Sequence, residues 1–532
     1  MSPIQDIRII SSLRTPDDQP LFTIRKDFSS GVNTRQHASI IGENQAEVLY
    51  NVDLGIQGQS SKRAGSTLIG DDVGDEPVVT LHNFEIQGGT DQLLMAEDDN
   101  LWSWIGTGDW NSIDLSALTY TAQTDIGMVS IKQSGIAPDD IVVVQNGVDN
   151  PFTVDKDGAV VDLGDTSGTG SDSPPISTVM AWYGNRLWVL LNDLLYFSDA
   201  YATDYSDCFD TVTNVFRLPV GEERKIIPTR NTGMVVMGRE QIWGLNPSVV
   251  PAATDKPEPL LTNMGVVSKK GAVSYGDSIY FFSQDGFREL KRTIQDKLQA
   301  GTTYPISYRL KTEWERISWA NISKLSMVAW DNKIFIAVPT SATAFDTWVY
   351  YPVLDAFMII QGWSPTCWAT YKIDGEERLY YGSVSEGKVY RAWYGYTDEG
   401  STTTTGTKIN YQEEGRKENL GQPLIKKLGG ELEIEANTAG NYDIDTYISL
   451  DSAGYNFLGK LNLSGDNPIV GIAVVGDSLG NPSKVSKKFH FDNFGAWKEA
   501  QVKLQHDATN GEDTISIYSR AITAFPESYE NE

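Results

Sequence analysis

A chain of 532 residues, 40% hydrophobic and 21% charged, is too long for one compact core and too ordinary in composition for wholesale disorder or a membrane protein. Its 14 Trp, 24 Tyr, 18 Phe and 48 Gly suit strands joined by tight turns better than helices, which favours an all-β class. The formal net charge of −28 argues against a broad surface for nucleic acid or anionic lipid, because such a surface repels phosphate.

The first residues, MSPIQDIRIISSLRTPDDQ, lack the basic start and apolar run of a secretory signal, so a chain made without an export signal is expected. Residues 26–70 follow as the most distinctive stretch. There Gly31 permits a positive-φ turn, Glu43 to Tyr50 fit a short helix, and Gly55 to Gly65 make a turn carrying Lys62 and Arg63. Residues 1–70 are thus expected to form an N-terminal arm that closes a ring of sheets by lending a strand to the last one.

Residues 71–400 carry a repeat. A polar turn rich in Gly, Asp and Asn precedes an aliphatic and an aromatic residue at Leu101-Trp102, Leu187-Trp188, Ile242-Trp243, Ile279-Tyr280, Ile334-Phe335 and Leu379-Tyr380. A weaker copy at Ile141-Val142, after Pro138-Asp139-Asp140, fills the one double-length gap and brings the period to roughly 46 residues, that of propeller blades. A six- or seven-bladed β-propeller is expected, with the recurring aromatics as core between blades. A stacked sandwich is the competing arrangement.

Within that region, GDTSGTGSDSPP (164–175) reads as a surface loop. Near 291–320 a helical insertion is expected, since Pro305 is a start signal and Ile306, Leu310, Trp314 and Ile317 share one helical face. Those four residues are either packing on their own propeller or a subunit interface. After the linker STTTTGT, residues 401–532 alternate in ELEIEA, YDIDTYISL and DTISIYSRAI with the period of half-buried strands, predicting a C-terminal β-sandwich module.

The search for chemistry is sparse. His37, His82, His490 and His506 form no metal-ligand spacing, and Cys208 and Cys367 no CxxC or disulfide framework; free thiols are expected. No nucleophile elbow, phosphate loop or dinucleotide fingerprint is present. Asp155-Lys156-Asp157-Gly158 opens like a calcium loop but lacks the later ligands and reads as a turn. The reading is therefore of a chain that is not an enzyme, with no catalytic residue, cofactor or metal. Propeller glycosidases work with two carboxylates about 5 to 9 Å apart, so a glycosidase, depolymerase or carbohydrate-binding protein of the host surface is the alternative.

Taken together, Phe28, Gly31, Val32, Asn33, Thr34 and Arg35, then Glu43, Gln45 and Ala46, then Asn51, Val52 and Asp53, then Lys62, Arg63 and Gly65 follow one order. That order resembles the opening of the tail-nozzle (tail stabilisation) proteins of short-tailed bacteriophages, with Ser30 and Ala64 standing where Gly and Pro are usual. GQPLIKKLGGELEIEA (421–436) and WKEAQVKLQHDATNGEDTISIYS (497–519) are similar to the closing β module of that group. The resemblance implies a virion structural protein, assembled in the host cytoplasm as a homohexameric ring beneath the portal and adaptor, with tail fibres as further partners. Viral DNA would touch it only in transit, and the net charge suggests an acidic channel that does not hold phosphate.

Overall fold

Reversing a strand tightly enough to pair with itself requires two consecutive residues at positive φ, which few residues other than Gly, Asn and Asp tolerate. The chain supplies them at Gly184-Asn185 (φ 62° and 58°), Asn192-Asp193 (49° and 63°) and Asp331-Asn332 (46° and 58°). In this computed structural model the described residues are 20–55, 58–133, 137, 139–164, 171–229, 233–248, 251, 255–292, 298–300, 304–400, 406–437, 442–463, 484–506 and 514–527. Almost all regular structure among them is antiparallel strand. Half of the 164–175 stretch (165–170) and most of the STTTTGT linker lie outside the described residues; Ser171-Asp172 pair with Phe209-Asp210, and Asp172 and Ser173 are buried instead of lying in a surface loop.

Among the described residues, seven four-stranded antiparallel units follow one another. Unit one comprises Val78–Phe84, Gln92–Glu97, Asn100–Trp104 and Asn111–Ile113, and unit two Gly127–Ile131, Ile141–Gln145, Phe152–Asp155 and Val160–Asp162. Unit three is Met180–Tyr183, Arg186–Leu191, Leu194–Phe197 and Val215–Arg217; unit four is Glu223–Thr229, Gly233–Gly238, Gln241–Leu245 and Glu258–Thr262. Unit five is Ala272–Tyr275, Ser278–Ser283, Gly286–Arg292 and Leu298–Ala300, and unit six Ser326–Trp330, Lys333–Pro339, Phe345–Tyr351 and Ala356–Ile360. Unit seven takes Pro365–Ile373, Glu376–Ser383 and Val389–Ala392 from late in the chain and Ser66–Ile69 from early in it, with Tyr390 opposite Leu68.

The first strand of each unit touches that of the next, and the first strand of unit seven touches that of unit one. The apolar cores follow the same cycle. One cluster joins units one and two through Phe84, Leu101 and Val142; another joins units two and three through Ile131 and Leu187; a third joins units three and four through Trp188 and Met234. Trp104 packs on Tyr371 and Tyr380 between units one and seven. Each unit buries its apolar face only against a neighbour, which is the propeller-like way of building a large core from small sheets.

Two larger sheets complete the chain. Unit six continues through Ala46–Tyr50, Tyr411–Glu418, Ala500–His506, Asp443–Leu450 and Tyr455–Asn462 into a nine-stranded sheet. The other orders Val52–Asp53, Ser60–Lys62, Ser516–Pro526, Lys427–Asn437 and Lys484–His490, with Leu21–Arg25 also on Ser516–Pro526. The strands described between Leu21 and Ile69 are distributed over unit seven and both large sheets. Glu43–Tyr50 is not a helix, because Ala46–Tyr50 is a strand held between Ala356–Ile360 and Tyr411–Glu418.

The expected helix is also broken up. Ile306–Arg309 is a 3-10 turn, Lys311–Glu315 a single α-helical turn and Trp319–Lys324 another 3-10 stretch, with Leu310 at φ −94° and ψ 64° interrupting the first two. A residue at those angles cannot continue a helix.

Candidate functional site

Two constellations stand out, one under the N-terminal arm and one on the axis of the seven units. In the first, Arg63 is 2% exposed and uses all five of its N–H donors. Its two terminal nitrogens reach the Asp398 carboxylate at 2.7 and 2.6 Å, and also the carbonyls of Ala64 and Gln361, while Nε donates to Asn51 Oδ1 at 2.8 Å. The guanidinium lies over Trp363, whose indole N–H donates to the same carboxylate at 2.7 Å. Asn51, at φ 60°, sends its amide to the carbonyl of Asn410.

The other resemblance residues surround this pair. Gly31 sits at φ 66° with its backbone so close to Phe357 that a Cβ would stand 2.5 Å from the Phe357 nitrogen. A Cβ on Gly65 would be 2.0 Å from the Thr397 carbonyl. Asn33 donates to Gln45 at 2.9 Å, Asp53 accepts from the Tyr351 hydroxyl at 2.6 Å, and the Arg35 guanidinium covers Tyr308 at 3.5 Å. Phe28 lies under Arg520, which pairs with Glu413 at 2.5 Å and also reaches Ser60. Lys62 ends the strand Ser60–Lys62, its backbone N–H donating to Ile515. Eight of the ten thus touch residues beyond the arm, while Asn33 and Gln45 bond to each other within it.

Of Ile306, Leu310, Trp314 and Ile317, read as own-fold packing or a subunit interface, Leu310 and Ile317 are 0% and 7% exposed and belong to the core of their own fold. Ile306 and Trp314 are half-buried against the same core, and Trp314 stacks on Phe282 at 5.8 Å. Beside them Glu313 and Asp346 are a pair of carboxylates raised by burial, held by Thr34 at 2.7 Å and by Arg316 at 3.1 Å. At 3% and 5% exposure they are closed to a substrate in this conformation.

The second constellation is a polar cavity of ≈ 230 Å³ enclosed by the first strands and their approaches, to which all seven units contribute. His82 comes from unit one, Asp125 from the approach to unit two, Thr178 from that to unit three, Arg224 and Lys225 from unit four, Lys269 and Lys270 from the approach to unit five, Ser326 from unit six and Trp368 from unit seven. Lys269 pairs with Asp125 at 2.8 Å and donates to Thr178 at 2.6 Å. Lys225 and Lys270 donate to the carbonyls of Ala272 and Val79 at 2.9 and 2.5 Å.

Burial, and then the charge of Lys270, lower the Lys225 ammonium to about 8. Burial works against ionisation of Asp125, but Lys270 and Lys269 hold its carboxyl below the usual range. His82, bonded to Ser130 at 2.7 Å, is lowered to about 4 by burial and Lys132 and is neutral at pH 7. Lys225, Lys269, Lys270 and Arg224 thus gather around Asp125 in this cavity, with Arg224 also paired to Glu222 at 2.8 Å. Acidic residues concentrate instead in exposed turns such as Asp98-Asp99 and Asp374. Among the described residues no group of His, Cys, Asp and Glu could hold a metal ion, and no helix is long and apolar enough to cross a membrane.

Neither protein-family models nor curated proteins match the chain. Solved structures similar to it include exo-beta-1,3-galactanase from Phanerochaete chrysosporium, at 7% identity over 87% of this chain and 99% of that one, with a TM-score of 0.30. A protein from Lactobacillus plantarum is similar at 12% identity over 55% of this chain and 86% of that one, with a TM-score of 0.36. The likeness is one of strand arrangement, and no residue is carried across. It does correct one expectation. An enzyme is among the proteins built in this propeller-like way, so the exclusion of catalysis from sequence is withdrawn.

Proposed function

We propose that this chain is a structural subunit of the tail of a short-tailed bacteriophage, one copy in a hexameric ring that stabilises the tail and lets DNA leave through it. In this reading the seven units are the blades of a seven-bladed propeller, and the two large sheets pack as the C-terminal sandwich. The observation that carries it is the fastening of the arm: Phe28, Gly31, Arg35, Asn51, Asp53, Lys62, Arg63 and Gly65 of the phage-like phrase each contact a residue far along the chain. Such joinery makes one rigid body, which a part under ejection pressure needs. The path for DNA in this reading lies between subunits. Portal, adaptor and fibres are the partners and the virion tail the location. Electron microscopy of the purified protein tests it: six-fold rings with a central opening support the reading, and a monodisperse monomer absent from purified virions would sink it.

A second reading is a propeller that binds or cleaves host-surface carbohydrate. It is supported by the stretch 394–399, where Tyr394 and Tyr396 are exposed rings of the kind on which sugars stack, and where crowding and then Asp398 push the Glu399 carboxyl up to about 7. Release of reducing ends from host polysaccharide distinguishes it.

A further inference from the structure

Donors outnumber acceptors in the axial cavity. Of the four cations on its wall, Lys269 has Asp125 and Arg224 has Glu222 at 2.8 Å each, which leaves Lys225 and Lys270 without a carboxylate bonded to them among the described residues. Lys225 and Lys270 each have a single carbonyl partner, although an ammonium has three hydrogens to donate. A buried charge supported by one neutral acceptor is costly, and so is a buried donor with none.

We propose that the axial cavity binds one small oxyanion, in the class of phosphate or a compact polycarboxylate. Such a ligand supplies what the walls lack, several acceptor oxygens and negative charge on one compact centre. Oxygens between Lys225 and Lys270 separate two like charges that otherwise repel across the cavity. The volume of ≈ 230 Å³ admits an ion of this size and excludes a polymer. Lys269 is already neutralised by Asp125, and both side chains are 32% exposed, which marks this pair as the mouth.

Calorimetry on the full chain, with inorganic phosphate and separately citrate titrated at constant ionic strength against sodium chloride, tests this. One saturable site per chain is expected, with the stronger of the two anions naming the source. Lys270→Met and Lys225→Met should each weaken binding about tenfold, the value of one charge-assisted contact, and Lys225→Gln keeps the test open if a methionine variant does not fold. No saturable heat with either anion, or heat unchanged in a folded variant, overturns the proposal.

Discussion

Arg63 and Asp398 meet as a two-pronged ion pair, 2.7 and 2.6 Å, between residues far apart in the chain and both almost wholly buried. Such a pair is dear to break because either partner left alone is an uncompensated charge in a low-dielectric site. Arg63→Ala should therefore destabilise the fold by about 3–5 kcal/mol. Arg63→Lys should rescue little, since an ammonium cannot reproduce the planar fork that serves Asp398, Asn51 and two carbonyls at once. Denaturant unfolding of the two variants checks both.

Gly31 should tolerate no side chain. Its φ of 66° and the 2.5 Å approach to the Phe357 nitrogen act together, so Gly31→Ala should cost more than the ~1 kcal/mol of the backbone angle alone. Gly88, at φ 73° with open space around it, is the control, and Gly88→Ala should stay near that smaller value. Melting temperatures of the pair give the comparison.

Lys225 makes a pH signature. Its folded value of about 8 lies below the ordinary 10.5, so the unfolded chain holds the extra proton between those values. Stability should rise as pH climbs through that window, by up to about 3 kcal/mol, and the penalty should be constant below pH 8. Because tyrosines also titrate near pH 10, the measurement is the difference between wild type and Lys225→Met from pH 7 to 9.5. The rise should vanish in the variant.

His82 acts at the other end of the scale. Lowered to about 4 from 6.5, it contributes stability that is present above pH 6.5 and lost as pH falls through 4. NMR titration should find one imidazole still neutral at pH 5, and a ring that protonates near 6.5 would contradict the buried placement.

Leu310→Ala should cost about 2–5 kcal/mol, as a fully buried leucine, and leave the oligomeric state unchanged. Sedimentation alongside unfolding separates the two readouts.

The repeat was legible because hairpin turns advertise themselves locally. Each aliphatic-aromatic pair lies in a different unit, but Leu101-Trp102 and Ile242-Trp243 fall on third strands while the others fall on second strands. The turn chemistry is the same for both hairpins of a unit, so it marks a unit without saying which strand. Ile141-Val142, the faintest copy, lies in a full four-stranded sheet. What could not be read is whatever depends on distant partners. Ala46–Tyr50 looks helical until Tyr411–Glu418 comes alongside, and the face of Ile306, Leu310, Trp314 and Ile317 is apolar because it packs inward, which periodicity cannot tell from an interface. Net charge likewise counts acids without saying where they point, and the axial lysines were invisible to it.

The strand Ser516–Pro526 receives both Leu21–Arg25 and Ser60-Ser61, close to the two extremes of the described chain. During synthesis these two early strands wait for Ser516–Pro526, whereas Ala46–Tyr50 meets Ala356–Ile360 much sooner. A product that ends before Ser516 keeps two strand edges unpaired and open to pairing with other chains.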